Sequence, residues 1–256
     1  MTHLNPNSPQ YPDLKDQCVL ITGGATGIGE ALVRAFAGQG ARVFFCDIQE
    51  EAGQQLANEV GGSVHFTRVD LTEEDEVVSW IQGVAKQEGA IRVLLNNAAQ
   101  DTRVPLQETT MERWDQLTKV NLRAAYLCIQ QAVPYMKNNN ASIINFGSVT
   151  FQLGEAGLSA YVTAKGAIVA MSRSLARELG PDHIRVNTLS PGWVMTEKQL
   201  RLYVNDEVKE RIFQAQCIPT LIESHEIALV ALFLASNTSR AITGQNIAVN
   251  RGWTHL

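Results

Sequence analysis

The chain has 256 residues, 45% of them hydrophobic and 18% charged, with 19 glycines and a formal net charge of −5, an ordinary globular composition. A pI near 5.6 without any dense Lys/Arg run lacks the positive footprint that nucleic acid or an anionic lipid surface requires, so neither is expected as a partner. The longest apolar run, Ile227 to Ala235, is far shorter than the ~18 residues that suggest a membrane span and suits a buried core helix.

The opening segment, MTHLNPNSPQYPD, is polar and Pro-rich and has neither the apolar centre nor the basic flank of a signal peptide. Residues 1–12 are therefore expected to form a flexible tail on a cytoplasmic protein, followed by a single domain over 13–256. Cys18, Cys46, Cys128 and Cys217 stand far apart without a C-x-x-C pair and are expected to be reduced, buried thiols. The histidines, His3, His65, His183, His225 and His255, are equally scattered, so no metal site is expected.

Along the chain, short β-branched runs alternate with longer stretches of helical periodicity. The pattern predicts strands at 17–22, 42–47, 63–70 and 91–97, separated by helices at 27–39, 49–60 and 73–88. A long helix at 111–137 follows, then a strand at 141–147, a helix at 158–179, a strand at 183–190, a variable segment at 197–215, a helix at 225–235 and a last strand at 245–250. Apolar residues dominate the strands without clean alternation, which predicts helices over both faces of the sheet. The fold class implied is α/β, an open, doubly wound sheet of seven parallel strands with ligands at the strands' carboxyl ends.

The first strand end carries TGGATGIG, residues 22–29, directly before a helix. Gly23, Gly27 and Gly29 allow backbone to approach a pyrophosphate, and the free N–H groups of the helix start favour its charge. An acid closes the next strand, Asp47 in RVFFCD. A carboxylate there can accept hydrogen bonds from both adenosine ribose hydroxyls and repels a 2′-phosphate, and the neighbouring Ala25 and Ile48 are uncharged, which favours NAD over NADP. Asp70, ending the third strand, can reach an adenine amino group or cap the helix that starts near Thr72.

Tyr161 and Lys165, in YVTAK, fall on one face of a helix, where the ammonium can lower the phenol pKa. At an effective dielectric of ~20 and ~4 Å a unit charge contributes ~4 kcal/mol, about three pKa units. That brings a phenol at ~10 toward ~7, suited to a general base.

With these residues in place, the chain resembles the short-chain dehydrogenase/reductase family from about Leu14 to Trp253, with the family's motifs in order. TGGATGIG matches T-G-x-x-x-G-x-G, NNAA (96–99) resembles N-N-A-G, Asn121 stands in KVNLR, Ser148 precedes Tyr161, and PGWVMT (191–196) resembles P-G-x-x-x-T. The resemblance implies a Rossmann-type domain with a catalytic tetrad of Asn121, Ser148, Tyr161 and Lys165. In that tetrad Asn121 supports a water-linked proton path to Lys165. Read as residues alone, Asn121 can instead satisfy backbone groups in a helix kink, and Ser148 can cap a turn. The resemblance also implies a cofactor site made of Gly23, Thr26, Gly27, Ile28, Asp47, Asp70, Leu71, Asn97, Ala98, Tyr161, Lys165, Pro191, Gly192, Val194 and Thr196. Two positions depart from the family pattern: Ala99 replaces a glycine, and VNRGW (249–253) replaces V-D-G-G.

Further strings, among them INFGSVTFQLG, WVMTEKQ, AQCIPTLIE and the GW near the end, are similar to bacterial aldose 1-dehydrogenases of this family, which oxidise the anomeric hydroxyl of L-arabinose, D-galactose or D-xylose. The resemblance implies NAD as cofactor and a sugar as substrate. Gln100, Asp101 and Arg103 follow the NNAA turn and offer donors and acceptors for sugar hydroxyls. Ser148, Tyr161, Gln152, Trp193 and Tyr203 complete the expected substrate contacts. The core motifs also suit a dehydrogenase of a polyol or 3-hydroxyacyl compound, or a non-catalytic dinucleotide-binding protein. The segment 197–215 places Leu200, Tyr203, Val204, Val208, Ile212 and Phe213 at helical spacing, as an amphipathic lid requires. Ala160, Ala164, Ala167 and Met171 form a small-residue stripe expected to pair helices in a homo-oligomer, a dimer or tetramer.

Overall fold

A computed structural model describes residues 9–254. Its first half runs β1 (Cys18–Thr22), α1 (Gly27–Gly38), β2 (Arg42–Asp47), α2 (Glu50–Val60), β3 (Val64–Arg68), α3 (Glu74–Glu88) and β4 (Val93–Asn96). The second runs α4 (Met111–Thr118), a π-helical turn (Lys119–Arg123), α5 (Ala124–Ala132), β5 (Ser142–Phe146), α6 (Thr150–Leu153), α7 (Ser159–Leu179) and β6 (Arg185–Pro191). It ends with α8 (Glu197–Leu202), α9 (Asp206–Ala215), α10 (Ser224–Ala235) and β7 (Asn246–Val249). The strands form one seven-stranded sheet in the order β3-β2-β1-β4-β5-β6-β7, with every pairing parallel. Strand order reverses between β1 and β4, which opens a crevice at their carboxyl ends.

Both faces are covered, which explains the apolar runs. Val19 and Ile21 of β1 pack with Leu32 and Phe36 of α1 and Ile227 and Leu232 of α10. Cys18 and Leu20 of the same strand join Trp80 and Ile81 of α3, Leu127 of α5 and Leu175 of α7. The expectation of two covered faces stops at β3. As the sheet's edge it buries only Val64 fully, and its exposed His65 stacks on Phe44 at 4.8 Å.

Other expectations need revision. The single helix predicted over 111–137 is broken by the π turn, where the Ala124 N–H reaches back to Lys119 O, and it ends in a short 3₁₀ turn carrying a proline, Val133–Tyr135. Of the tail predicted over 1–12, residues 1–8 lie outside the described residues. From Pro9 the chain is held: the Tyr11 N–H donates to Gln39 Oε1 at 2.7 Å, and Gln39 Nε2 donates to Pro9 O. Three cysteines are buried, but Cys217 is exposed and donates to Gly252 O. The small-residue stripe of α7 splits. Ala160 and Ala164 are buried within the chain, while Ala167 and Met171 border a surface groove with Leu122 and Tyr126.

Phe36 is fully buried where α1 meets α10 and the sheet. Phe36→Ala is expected to lower the unfolding free energy by about 3–5 kcal/mol, measured by urea denaturation. A loss under about 1 kcal/mol would contradict this packing.

Candidate active site

The loop between β1 and α1 can follow its path only with glycine. Gly23 has φ +65, and a Cβ on it would fall 2.6 Å from Ala98 Cα. A Cβ on Gly29 would fall 1.8 Å from Gly23 O. The loop is thus pressed between the first turn of α1 and the turn after β4. That second turn is tied to β1 by Asn97, whose Nδ2 donates to Thr22 O and to Gly23 O (2.8 Å). The N–H groups of Asn97 and Ala98 both donate to Thr22 Oγ1. Thr26 makes no side-chain cap on α1, so it takes none of the first-turn N–H groups.

Asp47 is 9% exposed and fastens the loop from the other side, accepting from the Ala25 N–H at 3.1 Å and the Gln49 N–H at 3.0 Å. Asp70 accepts from both the N–H and the hydroxyl of Thr72. Burial alone would raise its carboxyl, but these bonds and the nearby Arg68 and Lys119 leave it below the usual range. These bonds form a turn ahead of α3 and are not the expected helix cap, since the helix begins at Glu74 with Glu73 as its N-cap and no side-chain cap.

A cavity of about 1880 Å³ runs along the strand ends. Gly23, Thr26, Gly27, Ile28, Asp47, Asp70, Leu71, Asn97, Ala98, Tyr161, Lys165, Pro191, Gly192, Val194 and Thr196 all line it. So do Gln100, Asp101, Arg103, Ser148 and Trp193, whereas Gln152 and Tyr203 are not among its lining residues. Gln152 instead accepts from the Thr254 hydroxyl at 2.7 Å.

Lys165 is 2% exposed, and its Nζ donates to Phe146 O, the last residue of β5, at 2.6 Å. Burial pulls its ammonium down to about 8 against the attraction of Asp101. The Nζ sits 5.5 Å from the Tyr161 ring centroid. Burial pushes the Tyr161 phenol up to about 12, the Asp101 charge adds to this, and a hydrogen bond with Ser148 opposes it. The expected lowering toward ~7 is therefore overturned: desolvation, with the Asp101 charge behind it, sets the direction of the Tyr161 shift.

Ser148 Oγ accepts from the Thr150 N–H and hydroxyl, the turn-capping contact, and its own proton serves the hydrogen bond that favours ionisation of Tyr161. Asn121, buried in the π turn, accepts from the Gln100 N–H at 2.8 Å and donates to Gln100 O and Leu117 O at 2.9 Å. It satisfies backbone groups at the helix irregularity and pins the β4 loop beside Asp101.

At the mouth, Asp101 pairs with Lys198 and accepts from Gln199 Nε2 at 2.8 Å. Trp193 Nε1 donates to Gln199 Oε1, and Arg103 lies over the rings of Trp193 and Tyr203. Sequence reasoning missed Lys198 and Gln199. The available signal was Thr196, which caps α8 by accepting from the Gln199 N–H and so sets that helix's first turn at the cavity.

The model of a family described as enoyl-(acyl carrier protein) reductase matches residues 23–254. A probable galactose dehydrogenase GalD of Rhizobium meliloti (strain 1021) is 41% identical over 250 residues, covering 96% of this chain and 98% of that protein. A D-xylose 1-dehydrogenase of Caulobacter vibrioides (strain NA1000 / CB15N) is also 41% identical, covering 96% of this chain and 99% of its own. A solved structure from Brucella melitensis, described as a short-chain dehydrogenase/reductase SDR:glucose/ribitol dehydrogenase, superposes with a TM-score of 0.91 at 26% identity, covering 97% of this chain and 100% of that one. The chain belongs to the short-chain dehydrogenase/reductase family. It is an oxidoreductase acting on CH–OH groups, with a nicotinamide dinucleotide as cofactor.

The residues present fit that cofactor. The glycine loop offers backbone at a helix start where any Cβ on Gly29 would collide, and Lys165 keeps donors beyond its one bond to Phe146. Both departures from the short-chain dehydrogenase/reductase pattern are accommodated. Ala99 is exposed and is not among the residues at positive φ, so its methyl meets no backbone conflict. Arg251 takes φ 57, pairs with Glu226 on α10 and accepts at its carbonyl from the N–H groups of Cys217 and Ile218. That turn brings Trp253, another lining residue that sequence reasoning missed, to the cavity.

Gly29→Ala is expected to displace the loop and weaken binding of the nicotinamide dinucleotide at least about tenfold, read by quenching of intrinsic fluorescence. Unchanged affinity would contradict the contact between Gly29 and Gly23 O.

Proposed function

We propose that the protein oxidises the anomeric C1 hydroxyl of an aldopyranose, L-arabinose, D-galactose or D-xylose, to the aldonolactone with NAD⁺, with Tyr161 as general base. The observation that carries this reading is a single cavity joining Tyr161, Lys165 and Ser148 to a polar mouth of Asp101, Arg103, Lys198 and Gln199. The two relatives named galactose and D-xylose dehydrogenase support it. NAD is favoured over NADP because Asp47 faces the ribose end of the cavity with a carboxylate. Arg34, a cation lining the same cavity, is already paired with Glu30 and Glu59.

In this mechanism the Tyr161 phenolate accepts the proton of the anomeric hydroxyl, and the Ser148 hydroxyl keeps its proton and hydrogen-bonds the reacting oxygen. Lys165 stabilises the phenolate and holds a ribose hydroxyl with a donor that Phe146 leaves free. Asn121 fixes the Gln100 backbone and, through it, the start of the substrate mouth, and supports the water-linked proton path to Lys165. The bound nicotinamide supplies the hydride acceptor and a positive charge that favours the phenolate. Because burial holds the Tyr161 phenol high and the base acts deprotonated, turnover is expected to rise with pH until Lys165, lowered to about 8, loses the charge that stabilises the phenolate.

Asp101 retains lone pairs beyond its bonds to Lys198 and Gln199 and can accept sugar hydroxyls, while Arg103 donates to others. Helix α8 lines the mouth, and α9 reaches it through Arg211 over the Trp193 ring, an arrangement suited to a lid that excludes water. The expected apolar inner face is only partly present: Ile212 is fully buried, but Leu200 is 47% exposed.

L-Arabinose and D-galactose share configuration at C2, C3 and C4, so both are expected to be oxidised, with D-xylose next. NADH formation across a panel of pentoses, hexoses and polyols tests this. Arg103→Ala is expected to raise KM for the sugar far more than KM for NAD⁺. Inactivity on every free aldose, with full activity on a simple secondary alcohol, overturns the sugar reading.

We also propose that the protein is a homo-oligomer. Its support is the groove beside Ala167 and Met171, flanked by Leu122 and a Tyr126 that is 51% exposed. Light scattering at micromolar concentration is expected to give a multiple of 28.1 kDa; a monomer mass refutes the assembly.

A further inference from the structure

Tyr161 and Lys165 both ride on α7, so their places in the cavity follow from how that helix lies on the sheet. The lysine alone cannot hold it there. Its four-carbon stem is flexible, and the bond from Nζ to Phe146 O can persist while the helix behind it shifts.

A second, shorter tie is present. Asn145, the residue before Phe146 on β5, donates from Nδ2 to Ser172 Oγ on α7 at 3.0 Å. Ser172 in turn donates to Ile168 O at 2.8 Å. On the other side, Asn145 Oδ1 accepts from Asn96 Nδ2 of β4 at 2.8 Å. Asn96 and Asn145 are direct partners in the sheet, and strand alternation puts them on the face of Leu94 and Ile143, which pack with Leu175 and Ala176 of α7. Asn96, Asn145 and Ser172 are all buried.

We propose that Asn145 is a positioning residue for the reaction: through Ser172 it sets the height and rotation of α7 on β5, and so places Tyr161 and Lys165 against the bound substrate. This rests on the reading of Tyr161 as the base and Lys165 as its partner.

Each group in the ladder has one role. Asn145 gives its N–H to Ser172 and its oxygen to Asn96, so turning the amide over loses both bonds. The Ser172 proton is spent on Ile168 O, which leaves its oxygen to accept from Asn145. Lys165 and Ser172 are seven residues apart, about two helical turns, so they leave one side of α7 roughly 10 Å apart along its axis. They reach consecutive residues of β5. Two ties at that separation resist the tilting and rolling that a single tie permits. The ladder also starts at the floor of the cofactor site, because Asn96 precedes Asn97, whose amide holds Gly23 O. The glycine loop and the catalytic helix are thereby set from the same strand end. Displacing reacting groups by about 1 Å can slow a reaction on the order of a hundredfold, so a short, stiff tie of this kind acts on rate.

Single-turnover formation of NADH, from the alcohol that the wild type oxidises best, separates placement from folding. The rate constant reports geometry within each intact molecule, and the amplitude reports how many are intact. Ser172→Ala is expected to slow hydride transfer roughly tenfold at full amplitude, and Asn145→Leu at least as much. Because both remove the same bond, the double variant is expected to be no slower than the slower single one. Ser172→Thr, which keeps the hydroxyl, is expected to stay near wild type. The two Ser172 variants decide the matter if Asn145→Leu does not fold. An unchanged rate in Ser172→Ala, a loss confined to amplitude, equal slowing by Ala and Thr, or additive slowing in the double variant overturns the proposal. A wild type inactive on every alcohol of the panel refutes the functional reading itself, whereas an active wild type with unmoved variants refutes this placement alone.

Discussion

A lysine ammonium buried on a single main-chain carbonyl is the interaction on which the site depends. Lys165 has 2% of its surface exposed and spends one donor on Phe146 O at the end of β5. An ammonium in such surroundings survives only where its charge has work to do or a partner to meet. The bond ties α7 to the end of β5, and Tyr161, one helical turn earlier, lines the cavity along the strand ends. Burial lowers the lysine to about 8 and raises the phenol to about 12. Both groups are thus held in their neutral direction, and a positive ligand charge in the cavity would push the phenol back toward ionisation.

The rest of the crevice is a set of close approaches that leave no room for adjustment. Gly29 meets Gly23, Gly23 meets Ala98, and Asn97, Thr22 and Asp47 stitch three strand ends into one rigid floor. The mouth differs in kind. Its contacts join side chains distant in sequence, Asp101 with Lys198 and Arg103 with Trp193 and Tyr203, and several are partly exposed. Rigid floor and adjustable mouth suit a site that holds a constant cofactor and admits a variable alcohol.

The rigid part was legible in the sequence because its causes are local. A strand, three glycines, a helix and an acid in order define the floor, and all of the expected cofactor residues line the cavity. Three features were legible in part or not at all. The π turn that buries Asn121 arises inside KVNLR, where the sequence offered it only as the alternative of a helix kink. The pairing of Asp101 with Lys198 joins positions remote in sequence, which periodicity does not report. The direction of the Tyr161 shift followed from burial and from the Asp101 charge, whereas the Tyr161–Lys165 spacing encodes only proximity. Edge strand β3 failed for a related reason: its run of residues resembles the inner strands, but among the described residues it pairs on one side only and leaves His65, Thr67 and Arg68 exposed.

The central claim is that Tyr161 handles the proton while the remainder of the site binds and orients. The most direct measurement is Tyr161→Phe, with turnover of the preferred aldose and NAD⁺ affinity measured on the same preparation. The account predicts turnover reduced by at least about a thousandfold with NAD⁺ affinity within about twofold of wild type, since the phenol oxygen serves only the reacting centre. A variant that keeps most of its kcat would contradict it.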